Sequence, residues 1–129
     1  MCSAMELLGV CMFPPFQRLP LELWAEACSA ATGIETSADD LIRASENLWH
    51  ARRAFNIREG SGAADDTCPE RFFSEPVSAG DKSFDALSKT VFEGLVGSYY
   101  AERGWDEVTG EPPAEVLQEL GLLEAAQRS

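Results

Sequence analysis

Between Ser37 and Gly60 the chain places Leu41, Leu48 and Phe55 seven residues apart, with Ile42 and Trp49 running beside them. Positions seven apart lie two helical turns from one another, so these side chains form one stripe of an α-helix, whereas a strand would send them to alternating faces. The flanks agree with a helix. Asp39 and Asp40 fall in the first turn after Ser37, where the helix dipole favours acids. Arg52, Arg53 and Arg58 crowd the far end, where it favours cations, and Gly60 stops it. Nothing elsewhere alternates apolar and polar residues over a strand's length, so the fold class predicted is all-α.

Further helices follow from local signals. Pro20 suits a first helical turn, Leu21 to Cys28 continue it, and Thr32-Gly33 ends it with a residue suited to a left-handed cap. A third helix is expected after a cap at Asp81 or Ser83, with Phe84, Leu87, Val91, Leu95 and Tyr99 as its apolar face and Gly104 as its end. Gly94 and Gly97 cost that helix about 1 kcal/mol each relative to Ala, and their use is read as close helix–helix approach. Pro112-Pro113 opens a last short helix through Leu117 and Leu120, ended by Gly121. Residues 60–82 form the longest irregular stretch, rich in Gly, Ser, Asp and Pro. The expectation is an irregular helical domain over residues 20–129, with about four helices and one long loop.

Residues 1–19 are different. Leu7, Leu8, Val10, Met12, Phe13 and Phe16 form an apolar cluster broken by Gly9 and Pro14-Pro15, unlike the polar, loosely held ends of most domains. They read as a loop buried inside a larger body.

Charge narrows the function. Ten Lys and Arg stand against 22 Asp and Glu, a net charge of −12 in 129 residues, which repels phosphate backbones and anionic lipid. Nucleic-acid binding and membrane docking are poor readings, and no apolar run is long enough to span a bilayer. No Lys or Arg precedes Arg18 and Glu6 interrupts the early apolar stretch, so a secretory signal is not expected. Cys2, Cys11, Cys28 and Cys68 are too few and scattered for a disulfide scaffold, which favours a reducing cytoplasm with any important cysteine acting as a thiolate or metal ligand.

Catalytic motifs are scarce. There is no nucleophile motif, phosphate loop or paired-cysteine zinc spacing, and the lone His50 reads as a structural, hydrogen-bonded residue. Asp39-Asp40 and Asp65-Asp66 read as solvated caps. Arg52, Arg53 and Arg58 could grip an anionic cofactor, yet among so many acids they are better read as paired with carboxylates and helix-end carbonyls.

The order of short segments is more specific. Glu6-Leu7-Leu8-Gly9-Val10-Cys11 precedes the helices and Arg53-Ala54-Phe55-Asn56-Ile57-Arg58-Glu59-Gly60. Then come Asp65-Asp66, Pro69-Glu70-Arg71-Phe72, Tyr99-Tyr100, Arg103-Gly104-Trp105-Asp106, Gly110-Glu111-Pro112 and Leu120-Gly121-Leu122. Over nearly the whole chain this resembles the C-terminal part of the tungsten-containing aldehyde:ferredoxin oxidoreductases, where that part is helical. The family carries a D-x-x-G-L-C element whose residues contact a pterin of the tungsten cofactor and whose cysteine ligates a neighbouring [4Fe–4S] cluster. By that resemblance Gly9 matches the glycine, Val10 stands at the leucine, Cys11 matches the cluster cysteine, and Glu6 stands where the family has Asp. The residue types suit the work. Glycine lets backbone approach a cofactor, a carboxylate accepts hydrogen bonds from pterin N–H groups, and a thiolate is the soft ligand such clusters require.

The resemblance implies a C-terminal domain of a larger enzyme, as a split subunit, a truncated frame or an excised domain, inactive by itself. The other three cluster cysteines, a second pterin element and the acid–base residues lie upstream in the family; Cys2, Cys28 and Cys68 do not reproduce the close spacing of that trio. Implied for the complete enzyme are a tungsten (or molybdenum) bis-pterin, the [4Fe–4S] cluster, oxidation of an aldehyde substrate to a carboxylic acid, and ferredoxin as electron acceptor. Implied partners are therefore the N-terminal part of the same enzyme and ferredoxin. Two alternatives stay open: the same scaffold in an aromatic thioester reductase, and an orphan helical interaction module that binds a partner through residues 1–19.

Overall fold

In a computed structural model, residues 2–10 and 19–122 are described, and the structural statements below concern them. The chain is mostly helical, as expected, with one small hairpin in addition. It divides into two compact units, Met1–Arg52 and Arg53–Ser129.

The first unit holds α1 (Cys2–Leu7), α2 (Leu21–Thr32) and the start of α3 (Ala38–Arg58). Pro20 is the N-cap of α2, and Gly33 closes it at φ 74°, a left-handed conformation that costs glycine nothing. Ser37 and Asp40 open α3 as a reciprocal cap. The Asp40 N–H donates to Ser37 Oγ at 3.1 Å, and the Ser37 N–H donates to Asp40 Oδ2 at 3.0 Å. Ala4, Ala25 and Leu41 form the buried centre, with Leu8, Leu21 and Trp24 packed on it, and Met5 is 1% exposed. Of the apolar residues singled out within residues 1–19, Leu7 is exposed and Leu8 and Val10 are half-buried. Residues 2–7 are helical, and the part of that segment at residues 11–18 lies outside the described residues.

The second unit contains a 3-10 turn (Ala63–Asp65), α4 (Arg71–Ser74), the hairpin of β1 (Val77–Ala79) and β2 (Lys82–Phe84), α5 (Lys89–Arg103) and α6 (Ala114–Glu119). Several expectations are corrected here. Gly80 at φ 64° with Asp81 makes a two-residue turn that pairs Val77 with Phe84 and Ala79 with Lys82. That segment is therefore a hairpin, too short to show a periodicity. Consequently α5 starts later than expected, capped by Ser88, whose Oγ accepts from the Val91 N–H. Its inward face is also rotated from the one predicted. Phe92 and Val96 are half-buried and Tyr100 is buried, while Val91 and Leu95 are exposed. Phe92 stacks edge-on against Phe73 with ring centres 5.5 Å apart. On α3, Leu41 is buried, but Phe55 is 54% exposed, so the predicted stripe is only partly covered. A Cβ on Gly94 or Gly97 would meet nothing within 4 Å, so the close helix approach expected there does not occur among the described residues.

Candidate functional site

The segment singled out in the sequence lies at the end of α1. Gly9, at φ 68°, donates its N–H to the Glu6 carbonyl at 3.1 Å, and the Val10 N–H donates to the Met5 carbonyl at 2.9 Å. This pair of bonds is a Schellman stop, which needs a left-handed residue at the position Gly9 fills. Glycine is required there by the backbone, and the space beside it is open, with nothing within 4 Å of a Cβ built on it. Glu6 extends from the last turn and accepts a hydrogen bond from Arg52 Nη1 at 2.7 Å, the two side chains being 38% and 47% exposed. Arg52 in turn lies over the Trp49 ring, 5.9 Å from its centre. Val10 is half-buried. The structure therefore brings Glu6, Gly9 and Val10 together, while Cys11 lies outside the described residues.

The chemistry of this end suits part of the implied cofactor set. A half-exposed carboxylate beside unobstructed backbone can take N–H groups from the edge of a pterin. An iron–sulfur cluster needs several thiolates, and among the described residues no three His, Cys, Asp or Glu side chains converge as a metal site. Cys28 and Cys68 are free and half-buried; the Cys28 sulfur takes a long contact from the Thr36 hydroxyl at 3.9 Å. His50 is half-buried on α3.

A second constellation, in the second unit, was less visible in the sequence. Arg53 is only 7% exposed. Its Nε donates to the Gly110 carbonyl at 2.8 Å, and its Nη2 reaches Asp66 Oδ2 at 2.7 Å and the Tyr100 hydroxyl at 3.1 Å. The Tyr100 hydroxyl donates to the same Asp66 oxygen. The guanidinium carbon sits 5.3 Å from the ring centres of both Tyr100 and Trp105. Burial alone would lower the pKa of Arg53, but the hydrogen bond and charge of Asp66 outweigh it and hold the guanidinium above its ordinary value. Burial, reinforced by donation to Asp66, pushes the Tyr100 phenol up. The pairing of arginines with carboxylates is as expected: Arg52 with Glu6, Arg53 with Asp66, and Arg58 with Glu59. Asp65 caps the Gly62 N–H as anticipated, at 2.9 Å. Asp66 departs from the solvated cap predicted for it, because the guanidinium draws it inward. The signal that could have found this site was the set of ordered segments itself, since Arg53, Asp66, Tyr100, Trp105 and Gly110 each belong to one of them.

The amino-acid sequence matches known proteins over most of its length. The family profile described as "Aldehyde ferredoxin oxidoreductase, domains 2 & 3" matches residues 1–122. The chain is 32% identical over 123 residues to the tungsten-containing aldehyde ferredoxin oxidoreductase of Pyrococcus furiosus, covering 95% of this chain and 20% of that protein. The Pyrococcus horikoshii protein of the same name is 33% identical, with 95% and 19% covered. A shorter match, 43% over 61 residues, covers 47% of the chain and 10% of a protein named "Aliphatic sulfonate oxidoreductase, WOR-like subunit" in Pyrococcus furiosus. The chain spans about a fifth of the length of its full-coverage relatives.

Proposed function

The chain belongs to the aldehyde ferredoxin oxidoreductase family, and from that premise we propose that it forms the C-terminal helical part of a tungsten-dependent, aldehyde-oxidising enzyme. It works with protein segments corresponding to the other four fifths of its relatives. Cys11 supplies one thiolate to a [4Fe–4S] cluster, and Glu6, Gly9 and Val10 wall a pterin. The bis-pterin tungsten centre, when bound, supplies the redox chemistry: an aldehyde and water become a carboxylic acid, releasing two electrons and two protons. A cluster held in part by Cys11 would supply the route for those electrons toward ferredoxin. The chain's own residues bind and orient. Glu6 presents an acceptor held in place by Arg52, and Gly9 keeps the approach to the backbone clear. A thiolate role suits a reducing, cytoplasmic setting. Among the described residues no helix is long and apolar enough to cross a membrane.

The observation that carries this reading is the family match over residues 1–122, a span that includes residues 6–11. The test is a chimera in which residues 1–122 replace the matching fifth of the Pyrococcus furiosus enzyme. Cys11→Ser in that chimera is expected to lower iron content and alter the spectrum of the reduced cluster, while Cys28→Ser leaves both unchanged. An intact cluster spectrum after Cys11→Ser overturns the ligand assignment. The match to a sulfonate oxidoreductase subunit favours a second reading, the same scaffold with a different substrate. A screen of the complete complex that contains this chain with aldehydes, alkyl sulfonates and aromatic thioesters separates the two.

A further inference from the structure

The second unit carries a groove that the cofactor reading leaves unused. It has a volume of about 490 Å³ and is lined by the turn at Ala63–Thr67 and by α5 from Lys89 to Tyr100. Phe92, Val96 and Gly97 are its apolar lining on α5, and Asp66 and Tyr100 also line it. Lys89, Glu93 and Glu107 stand around it. Nothing lies within 4 Å of a Cβ built on Gly97, so the wall is recessed there.

Its electrostatics select an occupant. Asp66 is already balanced by Arg53 at 2.7 Å, which leaves Glu93 and Glu107 against Lys89 alone. The chain as a whole is at −12, so the local excess of negative charge is not relieved by its surroundings. A small inorganic cation would satisfy the carboxylates and leave the apolar wall wet. A segment with apolar side chains flanking one arginine or lysine would satisfy both. On the proposed function such a segment has a source, since four fifths of the relatives' length lies outside what this chain matches. The α5 sequence supports coverage too. Residues 94–101 are Gly-Leu-Val-Gly-Ser-Tyr-Tyr-Ala, with no charge on any side of the helix for two turns. Such a helix is ordinarily covered on more than one face.

We infer that the groove between residues 63–67 and α5 is a docking site for a basic, otherwise apolar segment of a partner polypeptide. Its arginine or lysine is held between Glu93 and Glu107, and its apolar neighbours lie against Phe92, Val96 and Gly97. None of Glu6, Gly9 and Val10 lines the groove, so this inference and the cofactor reading fail separately.

The test is an amide NMR titration of the full chain with acetyl-Leu-Arg-Leu-amide. Acetyl-Leu-Gln-Leu-amide, spermidine and magnesium chloride serve as comparison probes. Saturating shifts at Thr67, Gly97 and Glu107 are expected with the arginine peptide, and binding about fivefold weaker with the glutamine peptide. Gly97→Leu fills the recess without a backbone penalty and is expected to abolish saturation while the remaining amide resonances keep their dispersion. The Glu93→Gln, Glu107→Gln double variant serves if Gly97→Leu does not fold, and is expected to bring the arginine peptide down to the level of the glutamine peptide. Non-saturating shifts, shifts unchanged in both variants, or equal saturation of the same residues by magnesium or spermidine overturn the inference.

Discussion

Arg53 shows how much of the second unit depends on one side chain. A buried guanidinium is costly unless its donors and its charge are both met, and here a carbonyl, a phenol and a carboxylate meet them while two rings cover its faces. Lysine has the charge without the planar fork, so Arg53→Lys is expected to lower stability by about 2–3 kcal/mol in urea denaturation. A loss below about 0.5 kcal/mol would show that the fork geometry is dispensable. Gly110 is fixed by the same group. It sits at φ 70°, and a Cβ there would come within 2.1 Å of Arg53 Nη2 and 3.1 Å of the Tyr100 ring. Gly110→Ala therefore combines left-handed strain with a clash against buried atoms, about 2–5 kcal/mol together. Gly33→Ala, at φ 74° with open space around it, carries the strain alone, about 1–2 kcal/mol. Thermal unfolding of the pair separates the two effects, and equal losses would mean that the clash relaxes without cost.

At the scale of elements, ends are better specified than faces. The capping box at Ser37 and Asp40 starts α3 with three mutual hydrogen bonds, and Ser37→Ala is expected to cost about 1 kcal/mol at neutral pH. The Ser37 hydroxyl and N–H, with Arg43, hold the Asp40 carboxyl below its ordinary value. A depressed carboxylate stabilises the fold above the unfolded pKa and loses that contribution as pH falls through the folded one. The gap between wild type and Ser37→Ala should accordingly narrow in denaturation curves taken below the ordinary aspartate range. A gap that holds steady there would show that the charged form of Asp40 contributes nothing to the cap. Helix ends were legible because Pro20, Ser37, Gly33, Gly104 and Gly121 act locally, through backbone geometry that a few residues determine. The hairpin at residues 77–84 was not, because strands of three residues hold no period to read. The face of α5 was misassigned for a related reason. It is apolar around most of its circumference, so periodicity alone could not choose Phe92, Val96 and Tyr100 over Val91, Leu95 and Tyr99. The Arg53 centre escaped notice because its members are scattered from residue 53 to residue 110 and meet only through folding. The Glu6–Val10 turn was legible as a glycine motif, though its backbone reason, a helix stop, appears only in the structure.

For the molecule as a whole, two surface properties oppose one another. Ile34, Val91, Leu95 and Val108 are between 56% and 84% exposed, apolar surface open to association where it is contiguous. Against that stands a net charge of −12, which makes copies of the chain repel one another. The balance is set by ionic strength, because the Debye length falls from about 30 Å at 0.01 M salt to about 3 Å at 1 M while apolar attraction is not screened. Sedimentation at fixed protein concentration is therefore expected to show monomers in 0.01 M sodium chloride and growing association toward 1 M. Adding charge where the apolar side chains are most exposed, as Leu95→Lys with Val108→Lys, should suppress that growth. These substitutions reduce the net negative charge and so weaken repulsion; loss of association in the double variant could only come from the lost apolar surface. Association that survives them would place the attraction elsewhere, and monomers at both salt concentrations would mean that the exposed side chains are too dispersed to act as a patch.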